Sequence, residues 1–261
     1  MKFSYLKSCF IYLILLISTE LAAQPKRYSV SQAHSHNDYE QANPFHLAYQ
    51  HGFGSVEADV FLKDDELFVA HHSNEIRAER TLQSLYLKPM ASACAANGGS
   101  IYPDKKKKMQ FLIDLKTASE PTLRKLTEQL SAYENLWFPR GSIQIVISGN
   151  TPAPENFGQY PPFIFFDGRP EVAYTPDQLR HVALISQSFT RYSQWKGTGE
   201  IPVEDLAKLR QVVDQAHHLK KPFRFWASPD TEEAWLALMR IKADYINTDK
   251  IADLAAFLNR K

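Results

Sequence analysis

The stretch SVEADVFLKDDELFVAHH, residues 55–72, is patterned as a buried strand, a short turn and a second short strand that ends in two histidines. Two acids, Glu57 and Asp59, lie within its apolar part, so this part is not a solvated loop. Side chains at positions i and i+2 of a strand point the same way, roughly 6–7 Å apart along the chain. Two such carboxylates in an apolar setting are unfavourable unless they are protonated, paired with basic groups or bound to a cation. A bound cation is the simplest explanation, and structural acids bridged to Lys or Arg are the alternative.

The rest of the chain alternates short β-branched or aromatic runs with helical stretches, which is the pattern of βα units around a parallel sheet. Strands are predicted at RYSVSQAH (27–34), SVEADVFL (55–62), MQFLIDLK (109–116), SIQIVIS (142–148), PFIFFD (162–167), VALIS (182–186), FRFWA (223–227) and DYINT (244–248). Helices are predicted at TLRKLTEQLSAY, VEDLAKLRQVVDQAHHLK, TEEAWLALMR and KIADLAAFLNR. Eight strands with intervening helices in about 240 residues predict an α/β fold, a single-domain (β/α)8 TIM barrel. One crossover, TPAPENFGQYPP, is too rich in Pro and Gly for a regular helix.

Residues 1–23 have the layout of a secretory signal peptide. Lys2 and Lys7 flank the start of the apolar run CFIYLILLIS, and the small-residue sequence LAA precedes Gln24. The apolar run is short for a bilayer span, and an uncleaved membrane anchor is the alternative. We therefore expect an exported protein, periplasmic or extracellular, whose barrel domain occupies residues 24–261 without stable membrane insertion.

Charge and cysteine content limit the class of protein. The formal net charge of +1 becomes 0 without the signal peptide, because two lysines and one glutamate leave with it. This balance does not indicate a nucleic-acid partner. Cys94 is the only cysteine after the signal peptide, so the domain is expected to be held by its core and not by an internal disulfide. The sequence does not indicate an oligomeric state.

Further polar residues end the neighbouring strands. The first strand runs into HSHND, residues 34–38, and the third ends in IDLK, which supplies Asp114 and Lys116. Barrel enzymes place their chemistry at the C-terminal ends of the strands, so these residues are expected to converge with the acids of the second strand. Three carboxylates and water suit one hard divalent ion, Ca²⁺ or Mg²⁺. Lys116 could hold an anionic substrate near this ion, or it could only balance the charge of Asp114.

Taken in order, these residues resemble a known family. H-N after the first strand, E-A-D on the second, V-A-H after a short strand and then R-T-L are similar to the glycerophosphodiester phosphodiesterase group of the phosphatidylinositol phospholipase C-like barrel superfamily. HSHNDYEQ, SVEADVFL, ELFVAHH and RTLQSLYLKPM resemble the branch named after altered inheritance of mitochondria protein 6. FRFWA and DYINTDK resemble the last two strands of that barrel, so the resemblance covers the whole chain after the signal peptide. It implies a phosphoric diester hydrolase of lipid metabolism.

The resemblance also implies roles for individual residues. His36 and His71 match the two catalytic histidines of the family. Glu57 and Asp59 match two of its metal ligands, and Lys116 matches its lysine.

Three positions depart from the family pattern. Asp114 stands where the family usually has a metal-binding Glu, and its arm is shorter. Asn37 stands where diesterases usually have Arg, and His72 stands where they usually have Asp. Loss of the arginine removes a phosphate contact, so the resemblance does not fix the substrate.

Further side chains are predicted to bind substrate, together with Asn37 and Lys116. Arg80, in RTL, and Arg169, after FFD, could reach the phosphate group. Trp226, at the end of the seventh predicted strand, could form an apolar wall for a glycerol or inositol group. A structural arginine and a core tryptophan are the alternatives.

Phosphodiester chemistry suits this set of side chains. A divalent ion neutralises the charge of the diester and lowers the pKa of a coordinated hydroxyl or water. Two histidines can then remove a proton from the nucleophile and give one to the leaving oxygen. We therefore predict a secreted, metal-dependent phosphodiesterase for a small glycerol- or inositol-type diester.

Two other functions are left open by the sequence. HSH is similar to the H-x-H metal pair of zinc amidohydrolases and related phosphoesterases, although the middle strands end without further histidines and only Asp249 supports this hypothesis. A non-catalytic barrel that binds a ligand is the third hypothesis, and it is supported by the departures at Asn37, Asp114 and His72.

Overall fold

The computed structural model describes residues 28–260, and the predicted signal peptide lies outside the described residues. Strands and helices alternate along this part of the chain. The strands are β1 (Ala33–Ser35), β2 (Ser55–Lys63), β3 (Glu66–Val69), β4 (Met109–Leu115), β5 (Ile143–Gly149), β6 (Ile164–Gly168), β7 (Val182–Ser188), β8 (Phe223–Trp226) and β9 (Ile246–Thr248). The helices are α1 (His46–Gln50), α2 (Lys88–Ala96), α3 (Ser119–Ser131), α4 (Pro176–His181), α5 (Val203–His218), α6 (Glu232–Arg240) and α7 (Ile251–Asn259).

Eight of the strands are parallel and form a barrel. They are neighbours in the order β8, β7, β6, β5, β4, β2, β1, β9. A parallel bridge between Arg224 of β8 and Tyr245, just before β9, nearly closes the sheet. The predicted (β/α)8 barrel is therefore confirmed, and the C-terminal ends of its strands meet at one rim.

The strand β3 lies outside this parallel order because it forms a hairpin with β2. The two strands are antiparallel from Val60, opposite Val69, to the turn. Asp64 and Asp65 form the turn with φ of 48° and 58°, a left-handed conformation that aspartate tolerates better than most residues. The hairpin begins at Val60, the last residue of β2 that pairs with β4. It ends with β3 at Val69, two residues before His71.

The first strand is shorter than its sequence pattern predicts. The sequence pattern predicts a strand over residues 27–34, whereas Val30–Gln32 is a turn of 3-10 helix and the strand is Ala33–Ser35. Ser29 and Gln32 form a reciprocal capping box around this turn, in which the Ser29 amide donates to Gln32 Oε1 at 2.9 Å. These local hydrogen bonds satisfy backbone groups that a longer strand would have to pair with its neighbours.

The helices cover the outside of the barrel through regularly spaced apolar residues. In α3 the leucines Leu123, Leu126 and Leu130 are fully buried, and each contributes about 1.5–3 kcal/mol by leaving water. The helices predicted from TLRKLTEQLSAY and the three later segments are confirmed as α3, α5, α6 and α7. The Pro-rich crossover contains only the 3-10 segment Pro154–Gln159, as its composition predicts. Within residues 28–260, no helix has both the length and the hydropathy needed to cross a membrane.

The strand register brings the predicted acids together. Asp59 of β2 lies opposite Asp114 of β4, and Asp114 lies opposite Ser148 of β5. Neighbouring parallel strands are about 4.8 Å apart, so residues at the same level are in contact. Carboxylates that are far apart in sequence therefore share one level near the C-terminal rim.

Candidate active site

The core of the site is a triad of carboxylates formed by Glu57, Asp59 and Asp114. One oxygen of each lies within 4.8 Å of the others, and Glu57 and Asp59 are almost completely buried. Glu57 and Asp59 point to the same side of β2 because they are two residues apart. The predicted convergence of these acids is therefore confirmed: the spacing accounts for Glu57 and Asp59, and the pairing of β4 with β2 adds Asp114.

Glu57 is paired with a buried arginine that sequence reasoning missed. Arg224, on β8, places Nη1 2.8 Å from Glu57 Oε2, and His34 Nε2 is also 2.8 Å from this oxygen. Burial would raise the pKa of Glu57, but the Arg224 guanidinium and His34 hold it below its usual range. Burial and Arg224 lower the pKa of His34 to about 4, so His34 is neutral at physiological pH. The only hint in the sequence was an arginine between two phenylalanines in the predicted strand FRFWA. Both phenylalanines are buried in the structure.

Asp59 and Asp114 share the predicted lysine. Lys116 Nζ lies 3.0 Å from Asp59 Oδ2 and 2.9 Å from Asp114 Oδ1. Burial and the charge of Glu57 raise the pKa of Asp59 to about 6, although Lys116 opposes this shift. Burial also raises the pKa of Asp114. Lys116 therefore neutralises only part of a crowded negative charge.

The donor set of the triad fits a hard divalent cation. Asp59 Oδ1 is buried and has no hydrogen-bond partner among the described residues. An ion bound by the triad would satisfy this oxygen and reduce the repulsion among the carboxylates. Gly149 leaves room for the Asp114 carboxylate, because a Cβ at position 149 would overlap Asp114 Oδ1. Glu57, Asp59 and Asp114 are thus the residues that would hold the ion.

The first predicted catalytic histidine, His36, is oriented by an aspartate from the other end of the chain. His36 Nδ1 lies 2.9 Å from Asp249 Oδ1, in the loop after β9. Burial lowers the pKa of His36, but the Asp249 carboxylate and the nearby Glu57 raise it above its ordinary value. Asp249 therefore fixes the Nδ1 side of the ring, and Nε2 is the nitrogen that this contact leaves unused.

The second predicted catalytic histidine, His71, follows the hairpin and contacts the triad through a tyrosine. Its Nδ1 lies 2.9 Å from the hydroxyl of Tyr39 and 4.0 Å from Asp59 Oδ2. The Tyr39 hydroxyl is 2.7 Å from Asp59 Oδ2. Tyr39 was not singled out from the sequence, where an aromatic residue just after HSHND was the only signal.

Asn37 and Arg80 lie beside this pair of histidines. Asn37 has a left-handed backbone with φ of 46°. Its side-chain Oδ1 accepts from the Tyr39 hydroxyl at 2.9 Å, and its Nδ2 donates to Asp249 Oδ1 at 3.4 Å. Arg80 donates a hydrogen bond to the carbonyl oxygen of Tyr39. Arg80 and His71 also line an open polar pocket of about 270 Å³. Arg80 therefore supports the backbone at Tyr39, and its contact with a substrate stays a prediction.

Arg169 and Trp226 lie on other strands of the same rim. Arg169 Nη1 is 2.8 Å from the buried Asp167 and 3.0 Å from Ser186 Oγ. Burial lowers the pKa of Arg169, but Asp167 and, more weakly, Asp114 raise it above its ordinary value, so Arg169 is within electrostatic reach of the triad. Trp226 is 37% exposed, which contradicts a core position, and it lies two residues after Arg224 on the same face of β8.

The arrangement does not support a zinc site built on HSH. His34 Nε2 lies 2.6 Å from the guanidinium of Arg224, whose positive charge opposes metal binding there. Within residues 28–260, the carboxylate triad is the only group of three or more His, Cys, Asp or Glu side chains close enough to hold one ion. His72 packs edge-on against His71, with ring centroids 4.4 Å apart, and its amide donates to Glu75.

Comparisons with known proteins agree with this geometry. The altered inheritance of mitochondria protein 6 homolog of Arthroderma benhamiae is 26% identical over 258 residues, covering 84% of this chain and 81% of its own. Altered inheritance of mitochondria protein 6 of Kluyveromyces lactis is 24% identical over 304 residues, covering 87% and 72%. A glycerophosphodiester phosphodiesterase from Parabacteroides distasonis, known from a crystal structure, has a TM-score of 0.54 and 15% identity over 88% of this chain and 97% of its own. At this identity the likeness shows the barrel fold alone.

Two family descriptions match parts of the chain. Residues 222–252 match the glycerophosphoryl diester phosphodiesterase family, and residues 26–167 match the AIM6-like phosphodiesterase domain. The second match spans more than half of the chain and includes the triad and both histidines. The chain therefore belongs to the AIM6-like phosphodiesterase domain family.

Proposed function

We propose that the protein is a divalent-metal-dependent phosphodiesterase that cleaves a small glycerol- or inositol-type diester by histidine acid/base catalysis. The observation that carries this proposal is the pairing of two oriented histidines with one carboxylate triad. His71 Nδ1 is 4.0 Å from Asp59, and Glu57 acts on the pKa of His36, so both rings lie near the same acids. A phosphodiester placed at the triad would have one histidine available for each of its two reacting oxygens.

A Ca²⁺ or Mg²⁺ ion held by Glu57, Asp59 and Asp114 would supply charge neutralisation for the phosphate and acidify a bound hydroxyl. Lys116, between two of these acids, provides a further positive charge for the diester. Arg169, Arg80 and Asn37 are proposed as polar contacts and Trp226 as an apolar wall. This part of the proposal is supported by their positions at or after the C-terminal ends of different strands.

In the proposed reaction one histidine takes a proton from the attacking group and the other gives a proton to the leaving group. His36 Nε2 removes the proton of the attacking hydroxyl, and the Asp249 carboxylate stabilises the imidazolium that forms. A bond forms from this oxygen to phosphorus while the bond to the leaving oxygen breaks. His71 starts this step as the imidazolium and gives its Nε2 proton to the leaving oxygen, which departs as an alcohol. With a substrate that has a neighbouring hydroxyl, the product of this step is a cyclic phosphate that water can open.

A turnover screen tests the proposal. The purified protein would be assayed with glycerophosphodiesters, inositol phosphodiesters and aryl phosphodiesters, each with Ca²⁺, Mg²⁺ and Zn²⁺ in turn. We expect turnover with Ca²⁺ or Mg²⁺ and a loss of turnover in His36→Ala. His46→Ala is the matched control because His46 begins α1 on the outside of the barrel. Binding of a diester without turnover under every condition would favour the non-catalytic barrel.

Export is a separate part of the proposal, supported by the layout of residues 1–23. We propose that this segment is cleaved and that the exported protein begins at Gln24. N-terminal sequencing of protein from the native compartment measures this directly. An intact Met1 in exported material would contradict cleavage.

A further inference from the structure

The hydroxyl of Tyr39 joins the carboxylate triad to His71. Tyr39 lies in the 3-10 turn after β1, and its side chain is completely buried. Its hydroxyl oxygen is 2.7 Å from Asp59 Oδ2, 2.9 Å from His71 Nδ1 and 2.9 Å from Asn37 Oδ1. Three polar groups therefore surround a phenol that has one proton to donate.

Counting protons fixes the direction of these hydrogen bonds. Asp59 presents a carboxylate oxygen and Asn37 a carbonyl oxygen, and both are acceptors. The contact to Asp59 is the shortest, and hydrogen bonds to a charged acceptor are the stronger ones. The phenol proton is therefore shared by these two oxygens in a three-centre hydrogen bond, with Asp59 as the stronger acceptor, and the phenol oxygen presents its lone pairs to His71.

His71 Nδ1 must then carry a proton. An unprotonated Nδ1 at 2.9 Å from the phenol oxygen would place two lone pairs in contact, whereas an Nδ1–H donates a good hydrogen bond. No other hydrogen bond from a described residue reaches the His71 ring. We infer that Tyr39 is a positioning residue that holds the neutral His71 ring as its Nδ1–H tautomer and confines proton transfer to Nε2.

This inference deepens the proposed function and rests on it only for its catalytic consequence. The Nδ1–H donates to Tyr39 whether His71 is neutral or protonated, so the ring does not have to rearrange when Nε2 gives up its proton. His71 Nε2 can then accept a proton from water when a cyclic phosphate is opened. The hydrogen-bond chain from Asp59 through Tyr39 to His71 also fixes the ring relative to the triad.

The direct test is the ¹⁵N spectrum of the histidine side chains of the metal-free protein at about pH 9, where ordinary imidazole is neutral. The His71 signals are identified by their loss in His71→Gln. In the wild type we expect Nδ1 to be protonated and Nε2 to be unprotonated. In Tyr39→Phe, which keeps the ring and removes the hydroxyl, we expect the Nδ1–H form to lose its dominance and Nε2–H to appear.

Tyr86→Phe is the matched control. Tyr86 is equally buried and its hydroxyl is 2.9 Å from a carboxylate oxygen of Asp38, but it makes no hydrogen bond to His71. Its loss should leave the His71 signals unchanged. A wild-type His71 with its proton on Nε2 overturns the inference even if Tyr39→Phe fails to fold. An unchanged tautomer in a folded Tyr39→Phe also overturns it.

A kinetic measurement separates this inference from the proposed function. With an alkyl diester, Tyr39→Phe should lower kcat roughly 10–100-fold, the usual effect of losing a group that orients a site residue, and should change KM little. Metal affinity is measured in parallel because Tyr39 also contacts Asp59. If the wild type has no diesterase activity, the proposed function fails, and the ¹⁵N spectrum still decides the tautomer.

Discussion

Replacing Arg224 by Met tests whether a buried arginine keeps Glu57 ionised. The two side chains are 4% and 7% exposed and their charged atoms are 2.8 Å apart. The methionine fills part of the same volume but leaves the carboxylate without its cation. Removing one partner of a buried ion pair costs about 3–5 kcal/mol, and 1 kcal/mol corresponds to roughly 2–4 °C in a domain of this size. We therefore expect the melting temperature of the metal-free protein to fall by roughly 6–20 °C near neutral pH.

The pH dependence of this loss identifies its cause. In the wild type the pKa of Glu57 is held below its usual range, so the stability that this group contributes is fully present above the unfolded pKa of Glu, about 4.3, and is lost only in stronger acid. In Arg224→Met the positive charge is absent, and burial raises the pKa of Glu57. As the pH falls below neutrality, the variant takes up a proton on Glu57 or on the adjacent His34, whose pKa Arg224 no longer lowers, so its deficit relative to the wild type should shrink.

Calorimetry of both proteins in a chelator, at several pH values, measures this difference. Arg260→Met is the control, because Arg260 and its partner Glu232 are both exposed and their ion pair should contribute little. Adding Glu57→Gln to Arg224→Met should restore part of the lost stability, since no buried charge is then left unpaired. A deficit that is the same at every pH, or a melting temperature close to that of the wild type, would refute the reasoning.

Three further predictions concern the triad and the histidines. Chelation should lower both turnover and melting temperature because the ion stabilises the folded state by binding it, and unaltered turnover in chelator would contradict this. Asp59→Asn should weaken metal binding, measured by titration calorimetry, more than it weakens folding. Gly149→Ala should reduce metal affinity because its Cβ would displace a triad carboxylate, whereas Gly199→Ala, which has a similar positive φ and open space, should leave metal affinity unchanged in the same titration. His71→Ala should reduce turnover of an alkyl diester about 10²–10⁴-fold more than that of a nitrophenyl diester, which needs no acid, and His36→Ala should reduce both alike; equal losses in both variants would contradict these roles.

The sequence by itself determined the barrel and the acids of its second strand. Strand and helix periods are local properties, so alternating runs and helical segments can be recognised without knowing which strands are neighbours. The spacing of Glu57 and Asp59 works in the same way, because residues two apart share one side of a strand. The boundaries of the first strand were less predictable, because the capping hydrogen bonds between Ser29 and Gln32 competed with strand pairing.

Only the tertiary structure decided which groups support those residues. Arg224 is 167 positions from Glu57, and Asp249 is 213 positions from His36, so no local spacing predicts either pair. Barrel closure places β9 beside β1 and β8 beside the residues that precede β9, and it thereby creates these contacts. Tyr39 is only 20 positions from Asp59 and 32 positions from His71, but its hydrogen bonds to them depend on how the loop after β1 folds against the hairpin. The physical reason is that a buried charge or a histidine tautomer is set by the atoms that surround it in space, and these come from chain segments that the sequence alone does not align.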